Sequence, residues 1–249
     1  REHLRAVCDA AKADVAFVPG KPRLRDLGLA VMDMDSTLIT IECIDELADF
    51  AGLKPQVAEV TEAAMRGELD FEQALDARVS LLAGLSEDVL DRVYVERLRY
   101  TPGGRALVQT MRTNGAHTVL VSGGFTYFTT RVRDALGFHL DRSNRLGIAG
   151  GVLDGTVARP IVTASVKRDT LLAEAARLSL PLAACLAIGD GANDIPMIET
   201  AGLGVAFHAK PKTRAAARAH LDHCDLSALL FAQGHRLADF RGWLDAGAS

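Results

Sequence analysis

The stretch LAVMDMDSTL, from Leu29 to Leu38, decides the fold of this 249-residue chain. Its first four residues are apolar, which is typical of a buried strand in a parallel sheet. Two carboxylates, Asp33 and Asp35, follow directly. Ligands of open α/β sheets bind at the carboxyl ends of the strands, so Asp33 is placed where chemistry is done. Two acids this close repel unless a cation compensates, and Mg²⁺ suits oxygen ligands. The alternative is a strand followed by an ordinary Asp-rich turn.

The composition predicts a globular protein with one large domain, or with a core and a sizeable insertion. Hydrophobic residues make up 49% and charged residues 24% of the chain, and no apolar run is long enough to span a membrane. The net charge is −4 and no dense Lys/Arg block occurs, which argues against a nucleic-acid partner. The four cysteines form no C-x-x-C pair, which favours reduced thiols in the cytoplasm. A start at Arg1 suggests an upstream region outside this sequence.

The segments around the first strand carry weaker signals. Residues 1–28 are interpreted as a lead-in segment, with a short amphipathic helix and an edge strand over 14–21. After the strand, Thr40 is expected to cap a helix that runs to about Ala51. Glu42 then lies in the first turn, where a carboxylate could simply complement the helix dipole.

From residue 54 to about residue 99 the pattern is helical and poor in strand signals. Asp70 and Gln73 have the spacing of a capping box. On the helix that they open, Arg78 follows Phe71 by seven residues and shares its apolar side. A guanidinium there suggests a nearby anion, although a surface arginine is the commoner outcome. The block predicts a helical cap inserted after the first strand.

The second predicted strand, AHTVLV, ends in Ser122, Gly123 and Gly124 before a helix. Free N–H groups at a helix start, with no Cβ in the way, form a ready anion site. An ordinary strand-to-helix turn uses the same residues. Further on, Asp154–Gly155 predicts the turn of a hairpin within 144–163.

A later helix carries Lys167 in its first turn, where a cation opposes the helix dipole unless an anion lies nearby. The next strand, AACLAI, runs into GDGANDIPMI, which contains Asp190, Asn193 and Asp194. In a parallel sheet Asp33 and Asp190 lie along one edge. Carboxylates from two strand ends are a suitable cradle for Mg²⁺.

Taken together, four motifs resemble those of the haloacid dehalogenase superfamily, in its order: DMDST at 33–37, SGG at 122–124, Lys167, and GDGAND at 189–194. Longer stretches resemble its phosphoserine phosphatase family: IECIDELADFAG, AMRGELDF, ARVSLLAGL, VSGGFTYF and IGDGANDIPMIETAGLGVAFHAKP. The resemblance implies an α/β fold, with a Rossmann-like core of parallel sheet flanked by helices and a helical cap inserted after the first core strand. The implied division is a core of 29–43 and 100–249, which includes the hairpin, and a cap of 44–99.

The resemblance also implies roles for individual residues. Asp33 would be the nucleophile and Asp35 the general acid and later base. Mg²⁺ would be held by the Asp33 carboxylate, the Asp35 carbonyl and Asp190. The remaining core positions would serve the phosphoryl group: Ser122, the N–H of Gly123 and Lys167 would bind it, Asn193 would line the pocket, and Asp194 would orient Lys167.

On the cap side, Glu42 and Arg78 match the family's ligands for a substrate ammonium and carboxylate. Met65 and Phe71 match its apolar wall. One departure is Thr163, where the family usually has Asp, at a position that is not a ligand.

The implied activity is Mg²⁺-dependent hydrolysis of O-phospho-L-serine through an aspartyl-phosphate, the last step of serine biosynthesis, by a cytoplasmic monomer or homodimer. Phosphothreonine and phosphohomoserine are the alternative substrates. Sugar phosphates fit poorly, because they carry no charges for Glu42 and Arg78 to meet. A receiver-like signalling module also gathers acids and Mg²⁺ at a sheet edge, but the predicted cap and Asp35 as a proton donor argue against it.

Overall fold

A parallel sheet of six strands forms the centre of the molecule. The computed structural model describes residues 4, 7, 8, 10–15 and 26–245. Most of the predicted lead-in helix and edge strand of 1–28 lies outside these residues. The strands of the sheet are β1 (Leu29–Met32), β2 (His117–Phe125), β3 (Leu140–Asn144), β6 (Cys185–Gly189), β7 (Leu203–Phe207) and β8 (Ala219–Leu221). Along the sheet the order is β3-β2-β1-β6-β7-β8, and each neighbouring pair is parallel. A separate antiparallel hairpin consists of β4 (Leu146–Ala149) and β5 (Val152–Val157).

The predicted opening strand is the central strand β1, which lies between β2 and β6. All four of its residues are fully buried. Leu29 and Val31 join the apolar cluster on one face of the sheet, whereas Ala30 and Met32 join the larger cluster on the other face. Burial on both faces is the reason that this strand is apolar at every position instead of alternating.

The helices of the described residues flank this sheet or precede β2. They are α1 (Cys43–Phe50), α2 (Lys54–Met65), α3 (Phe71–Ser80), α4 (Asp88–Arg92), α5 (Gly104–Thr113), α6 (Thr126–Leu136), α7 (Ala164–Arg177), α8 (Ile195–Thr200), α9 (Pro211–Ala216), α10 (Ala228–Ala232) and α11 (Leu237–Asp245). A π-helical turn over Val93–Arg97 continues α4. None of the helices in the described part of the chain is long and apolar enough to cross a bilayer.

The segment from α1 to the π-helical turn lies between β1 and α5 and is attached to the rest by two adjacent chain crossings. Ile39 and Tyr100 form an antiparallel bridge. The N–H of Thr40 donates to the Arg99 carbonyl at 3.0 Å. The hairpin β4–β5 packs against the same segment, since the Gly84 N–H donates to the Leu153 carbonyl at 2.8 Å.

The prediction that Thr40 caps the first helix is wrong. Helix α1 begins at Cys43 with Glu42 at its N-cap, and no side chain there bonds the first turn. Thr40 is instead paired with Arg99 through its backbone. The pairing with Arg99 keeps the backbone at Thr40 non-helical, so the helix begins two residues later than the local sequence indicated.

The predicted hairpin exists, but its predicted turn is wrong. The chain reverses at Gly150 and Gly151, which both have positive φ, and Ala149 pairs with Val152. Asp154 and Gly155 lie inside β5, where the register shifts. The paired glycines accommodate the left-handed turn, and the Asp-Gly pair forms an irregularity in the strand.

Two predicted or notable helix starts are explained by side-chain caps. Asp70 and Gln73 form the predicted reciprocal capping box of α3. Thr163 caps α7, because its hydroxyl accepts from the Val166 N–H at 3.4 Å. A threonine serves this position as an aspartate would, since both supply an oxygen to the first turn.

Candidate active site

A buried lysine holds two carboxylates together at the carboxyl edge of the sheet. The Nζ of Lys167 lies 2.8 Å from Asp33 Oδ1 and 2.7 Å from Asp194 Oδ1. Burial lowers the pKa of Lys167, but the two carboxylates raise it by more, so the net shift is upward and the ammonium stays charged. Asp33 follows β1, Lys167 lies on α7 and Asp194 follows β6, so the sheet brings three distant chain segments into contact.

Three acids at this point form a group that could hold a metal ion. Asp33, Asp190 and Asp194 offer ligand oxygens that all lie within 4.8 Å of one another. Burial and the charge of Asp194 raise the pKa of Asp33 well above its usual range. Burial and Asp194 also raise the pKa of Asp190, to about 6. Three carboxylates and the one ammonium of Lys167 leave two negative charges. An all-oxygen site with that charge fits a hard divalent cation.

Asp35 is held between the start of α1 and the end of β2. Its Oδ1 accepts from the Cys43 N–H at 2.9 Å, and its Oδ2 accepts from the Ser122 hydroxyl at 3.1 Å. Ser36 directly after it has a φ of +53°, in the left-handed region. Burial raises the pKa of Asp35, although the hydrogen bonds from Cys43 and Ser122 oppose the shift.

The carboxyl end of β2, where its pairing with β3 is irregular between Val121 and Phe125, is tightly packed around Ser122. This side chain is fully buried, and its oxygen accepts from the Gly124 N–H at 2.8 Å. A Cβ at Gly124 would lie 2.6 Å from Asp35 Oδ2, so a side chain at this position would collide with the carboxylate. Glycine at this position allows the end of β2 and Asp35 to approach each other.

The opposite wall of the site comes from α3. A Cβ on Gly123 would lie 3.3 Å from the ring of Phe71, which places this ring against the end of β2. The Nε of Arg78 donates to the Ala74 carbonyl at 3.2 Å, and burial lowers the pKa of Arg78. Met65 is the last residue of α2, and its side chain lies outside the described part of the structure.

These groups surround a cavity of about 500 Å³. Its lining includes most of the predicted site residues: Asp33, Asp35, Glu42, Phe71, Arg78, Gly123, Asp190 and Asn193. Ser122, Lys167 and Asp194 are fully buried behind this lining. Ser122 contacts Asp35, Lys167 contacts Asp33, and Asp194 contacts Lys167. Glu42 lies in the wall of the cavity, enclosed on one side by the protein and exposed to solvent on the other, and accepts from the Ser36 hydroxyl at 2.7 Å. Burial and the charge of Asp35 raise the pKa of Glu42 to about 7.

Two further residues at the site were not predicted. The fully buried Thr37 donates its hydroxyl to Asp190 Oδ1 at 3.1 Å. Lys210 lines the cavity, and its N–H donates to the Asp190 carbonyl at 3.4 Å. Thr37 was signalled by its place in the DMDST stretch, but Lys210 has no comparable signal.

A second acid and histidine group lies beside β8, away from this cavity. It consists of Asp14, His220 and Asp222. The Asp14 carboxylate accepts three backbone N–H groups, at 2.9, 3.0 and 2.8 Å, from residues 222–224. His220 Nδ1 lies 2.9 Å from Asp222. We interpret the group as structural, because its hydrogen bonds attach Asp14 to the backbone that follows the edge strand β8.

Comparison with known proteins places this fold and site in a class. A family profile for haloacid dehalogenase-like hydrolases matches residues 27–202. The six-stranded parallel sheet, the acids at its carboxyl edge and the buried lysine are thus those of a haloacid dehalogenase-like hydrolase. The predicted superfamily and fold class are confirmed.

Individual relatives narrow the class. The phosphoserine phosphatase of Polaromonas sp. strain JS666 is 48% identical over 84% of this chain and 90% of its own length. A probable phosphoserine phosphatase from Vibrio cholerae has a solved structure that covers 98% of this chain and 76% of its own, with 40% identity and a TM-score of 0.85. A substrate-bound phosphoserine phosphatase structure covers 82% of this chain and 97% of its own, with 35% identity and a TM-score of 0.76. The chain belongs to the phosphoserine phosphatase family, as its sequence indicated.

Proposed function

We propose that this protein hydrolyses O-phospho-L-serine to L-serine and inorganic phosphate, with Mg²⁺, through an aspartyl-phosphate intermediate. The observation that carries the proposal is the two-sided cavity. One side presents Asp33, backed by Lys167. The other side presents Arg78 and Glu42, an opposite pair of charges for the zwitterionic end of an amino acid.

The nucleophile is Asp33. Its carboxylate attacks phosphorus and displaces the seryl oxygen, which splits one difficult hydrolysis into two easier steps. Attack by an anion on a phosphate dianion requires compensating positive charge. Lys167 supplies part of it, at 2.8 Å from Asp33 Oδ1.

Asp35 manages the protons. It gives a proton to the leaving seryl oxygen, and as a carboxylate it then takes one from the water that attacks the aspartyl-phosphate. Its upward-shifted pKa suits an acid that must hold a proton near neutral pH. The Ser122 hydroxyl, 3.1 Å from Asp35 Oδ2, fixes the orientation of this carboxylate.

The metal ligands we assign are the Asp33 carboxylate, the Asp35 backbone carbonyl and Asp190. When bound, Mg²⁺ neutralises charge on the nucleophile and the phosphoryl oxygens. We exclude Asp194 from the ligand set because both of its oxygens are already engaged. Oδ1 lies 2.7 Å from Lys167, and Oδ2 accepts from the Gly191 N–H at 3.0 Å. Asp194 therefore orients the lysine.

The substrate ends are divided between the two walls. The phosphoryl group binds to Ser122, the N–H of Gly123 and Lys167, and Asn193 lines the same end. Glu42 accepts from the ammonium, and Arg78 donates to the carboxylate. Phe71 forms the apolar wall between them. A sugar phosphate would bring no opposite charge to Arg78 or Glu42, and enclosing a charged group without one is costly.

We further propose that residues 44–99 act as a cap over a catalytic core of 29–43 and 100–249. The two adjacent crossings at residues 39–40 and 99–100 are its only attachment by the chain, which suits a pivoting movement that admits substrate. We also propose a cytoplasmic enzyme, in keeping with four free cysteines.

The test is a panel of phosphate esters, assayed for released phosphate with Mg²⁺ and with a chelator. The panel contains O-phosphoserine, O-phosphothreonine, p-nitrophenyl phosphate and glucose 6-phosphate. We expect release to require the metal and kcat/KM to be highest for phosphoserine. Equal or higher kcat/KM for phosphothreonine would reassign the substrate. A protein that holds a long-lived aspartyl-phosphate without releasing phosphate would instead be the signalling module.

A further inference from the structure

A buried asparagine lies beside the carboxyl end of β2, at Gly123. Asn144 ends β3 and is 1% exposed. Its side-chain Nδ2 donates to the Gly123 carbonyl at 2.7 Å, and its Oδ1 accepts from the Val162 N–H at 2.7 Å. Its own carbonyl accepts from the Thr126 hydroxyl at 2.9 Å. Both ends of one planar amide are thus bound to backbone groups of two different chain segments.

The first of these segments is the carboxyl end of β2, which receives the phosphoryl group in the proposed reaction. Because Asn144 is buried, the Gly123 carbonyl that it binds is directed into the protein. Gly123 and Gly124 have no Cβ to restrain rotation of the peptide unit between them. That unit also carries the Gly124 N–H, which donates to the Ser122 oxygen at 2.8 Å, so its rotation would break this bond and disturb Ser122 beside Asp35. The Asn144 amide opposes this rotation.

The second segment leads to the lysine. Val162 immediately precedes Thr163, the N-cap of α7. Lys167 lies in the first turn and a half of that helix and contacts Asp33. The bond to the Val162 N–H therefore fixes the start of α7 relative to Gly123 at the end of β2. Asn144 joins the two parts of the site that supply positive charge and N–H donors to the phosphoryl group.

We propose that Asn144 is a positioning residue for phosphoryl transfer, which holds the peptide of Gly123 and the start of α7 in one arrangement. The inference rests on the proposed function, because it concerns the same reaction. It predicts that Asn144 acts on the transition state more than on substrate binding, since Glu42 and Arg78 bind the amino-acid end independently.

The test is the variant Asn144→Asp, which keeps the shape and the acceptor for Val162 but removes the donor to Gly123. We expect kcat for O-phosphoserine to fall about 100-fold, the size of effect known for a lost oxyanion contact. KM should change by less than about threefold, because the amino-acid contacts remain. Binding of orthovanadate with Mg²⁺, measured by calorimetry, should weaken at least about tenfold, as for a lost transition-state contact.

The matched control is Asn114→Asp. Asn114 also donates its amide to a backbone carbonyl, that of Thr110 at 2.8 Å, but at the far end of α5. All assays are run below the unfolding midpoint of each variant. If Asn144→Asp does not fold, Asn144→Ala removes both bonds without adding a charge. A merely structural role would lower stability and leave kcat per folded molecule and vanadate affinity unchanged, and this result would overturn the proposal.

The wild-type assays separate this proposal from the proposed function. If the wild type releases phosphate from O-phosphoserine and Asn144→Asp equals it, only the positioning role fails. If the wild type does not act on O-phosphoserine but vanadate binding still drops in Asn144→Asp, the substrate assignment fails and the positioning role stands.

Discussion

The two walls of the cavity differ in how completely their side chains are already bonded. On the sheet side, Asp33, Asp35 and Asp194 each accept at least two hydrogen bonds or ion contacts from the protein. On the helical side, Arg78 bonds one backbone carbonyl, and no acid among the described residues lies within ion-pair distance of it. The proposed catalytic groups are therefore held in place by the protein itself, whereas the proposed recognition group Arg78 has charged donors left for a substrate. This difference separates catalytic power from selectivity within one cavity.

The largest expected effect lies on the sheet side. Asp33→Asn should lower phosphate release at least ~10⁴-fold, because the nucleophile is lost. The loss should be the same for O-phosphoserine and for p-nitrophenyl phosphate, since both use this carboxylate. Steady-state kinetics on the two substrates measures it. Turnover at the wild-type rate would refute the role of Asp33 and with it the contrast between the walls.

On the helical side, Arg78→Ala should act on one substrate only. We expect KM for O-phosphoserine to rise ~10- to 100-fold, the value of one charged hydrogen bond of 1.5–3 kcal/mol. KM for p-nitrophenyl phosphate, which has no carboxylate beside its ester, should stay within about threefold. Arg92→Ala is the control, because Arg92 is an exposed arginine of the same segment. Equal losses on both substrates would remove Arg78 from recognition.

The pH dependence should also differ between substrates. The pKa of Glu42 is raised to about 7, chiefly by burial, so its charge is present above pH 7 and is lost as the pH falls through 7. The kcat/KM for O-phosphoserine, relative to p-nitrophenyl phosphate, should therefore fall by up to about tenfold per pH unit below 7, as free Glu42 becomes protonated. Glu42→Gln should flatten this ratio. A ratio that is flat in the wild type would contradict the assignment.

The smallest expected effect is on stability. Mg²⁺ should raise the unfolding midpoint by ~5 °C, because saturation at 100 times Kd adds ~2.7 kcal/mol to the free energy of unfolding. Differential scanning calorimetry measures the shift. Asp190→Asn should reduce it, and Arg78→Ala should retain it. A shift of the midpoint that is lost in Arg78→Ala would place the ion on the helical side of the cavity and contradict the assigned ligands.

Sequence patterns were sufficient to predict those elements of the fold that are formed by interactions between residues close together in the chain. The four apolar residues of β1 and the capping box of Asp70 each follow from interactions within a few residues. The polar strand Leu140–Asn144 was not predicted, because an edge strand with three half-exposed or exposed charged and polar positions has no apolar run. The hairpin turn was misplaced because Asp154–Gly155 competed with a second glycine pair at Gly150.

The same division holds for the site. The proximity of Asp33, Ser122 and Asp190 could be predicted because each lies at or near the carboxyl end of a strand, and parallel strands end on one edge. Thr37 stands in the DMDST stretch, but its bond to Asp190 could not be predicted, and neither could the bond of Asn144 to Gly123. These bonds span 153 and 21 residues and depend on the assembled tertiary structure. Long-range hydrogen bonds of this kind leave no periodic pattern in a sequence.

The adjacent crossings at Ile39 and Tyr100 have a consequence for evolution. The segment between them leaves the sheet-containing part of the molecule and returns to it at neighbouring points. Its length can therefore change without moving the strands of the sheet. Exchanging that stretch would replace the wall that carries Arg78 and leave Asp33 and Asp190 at the carboxyl edge of the sheet.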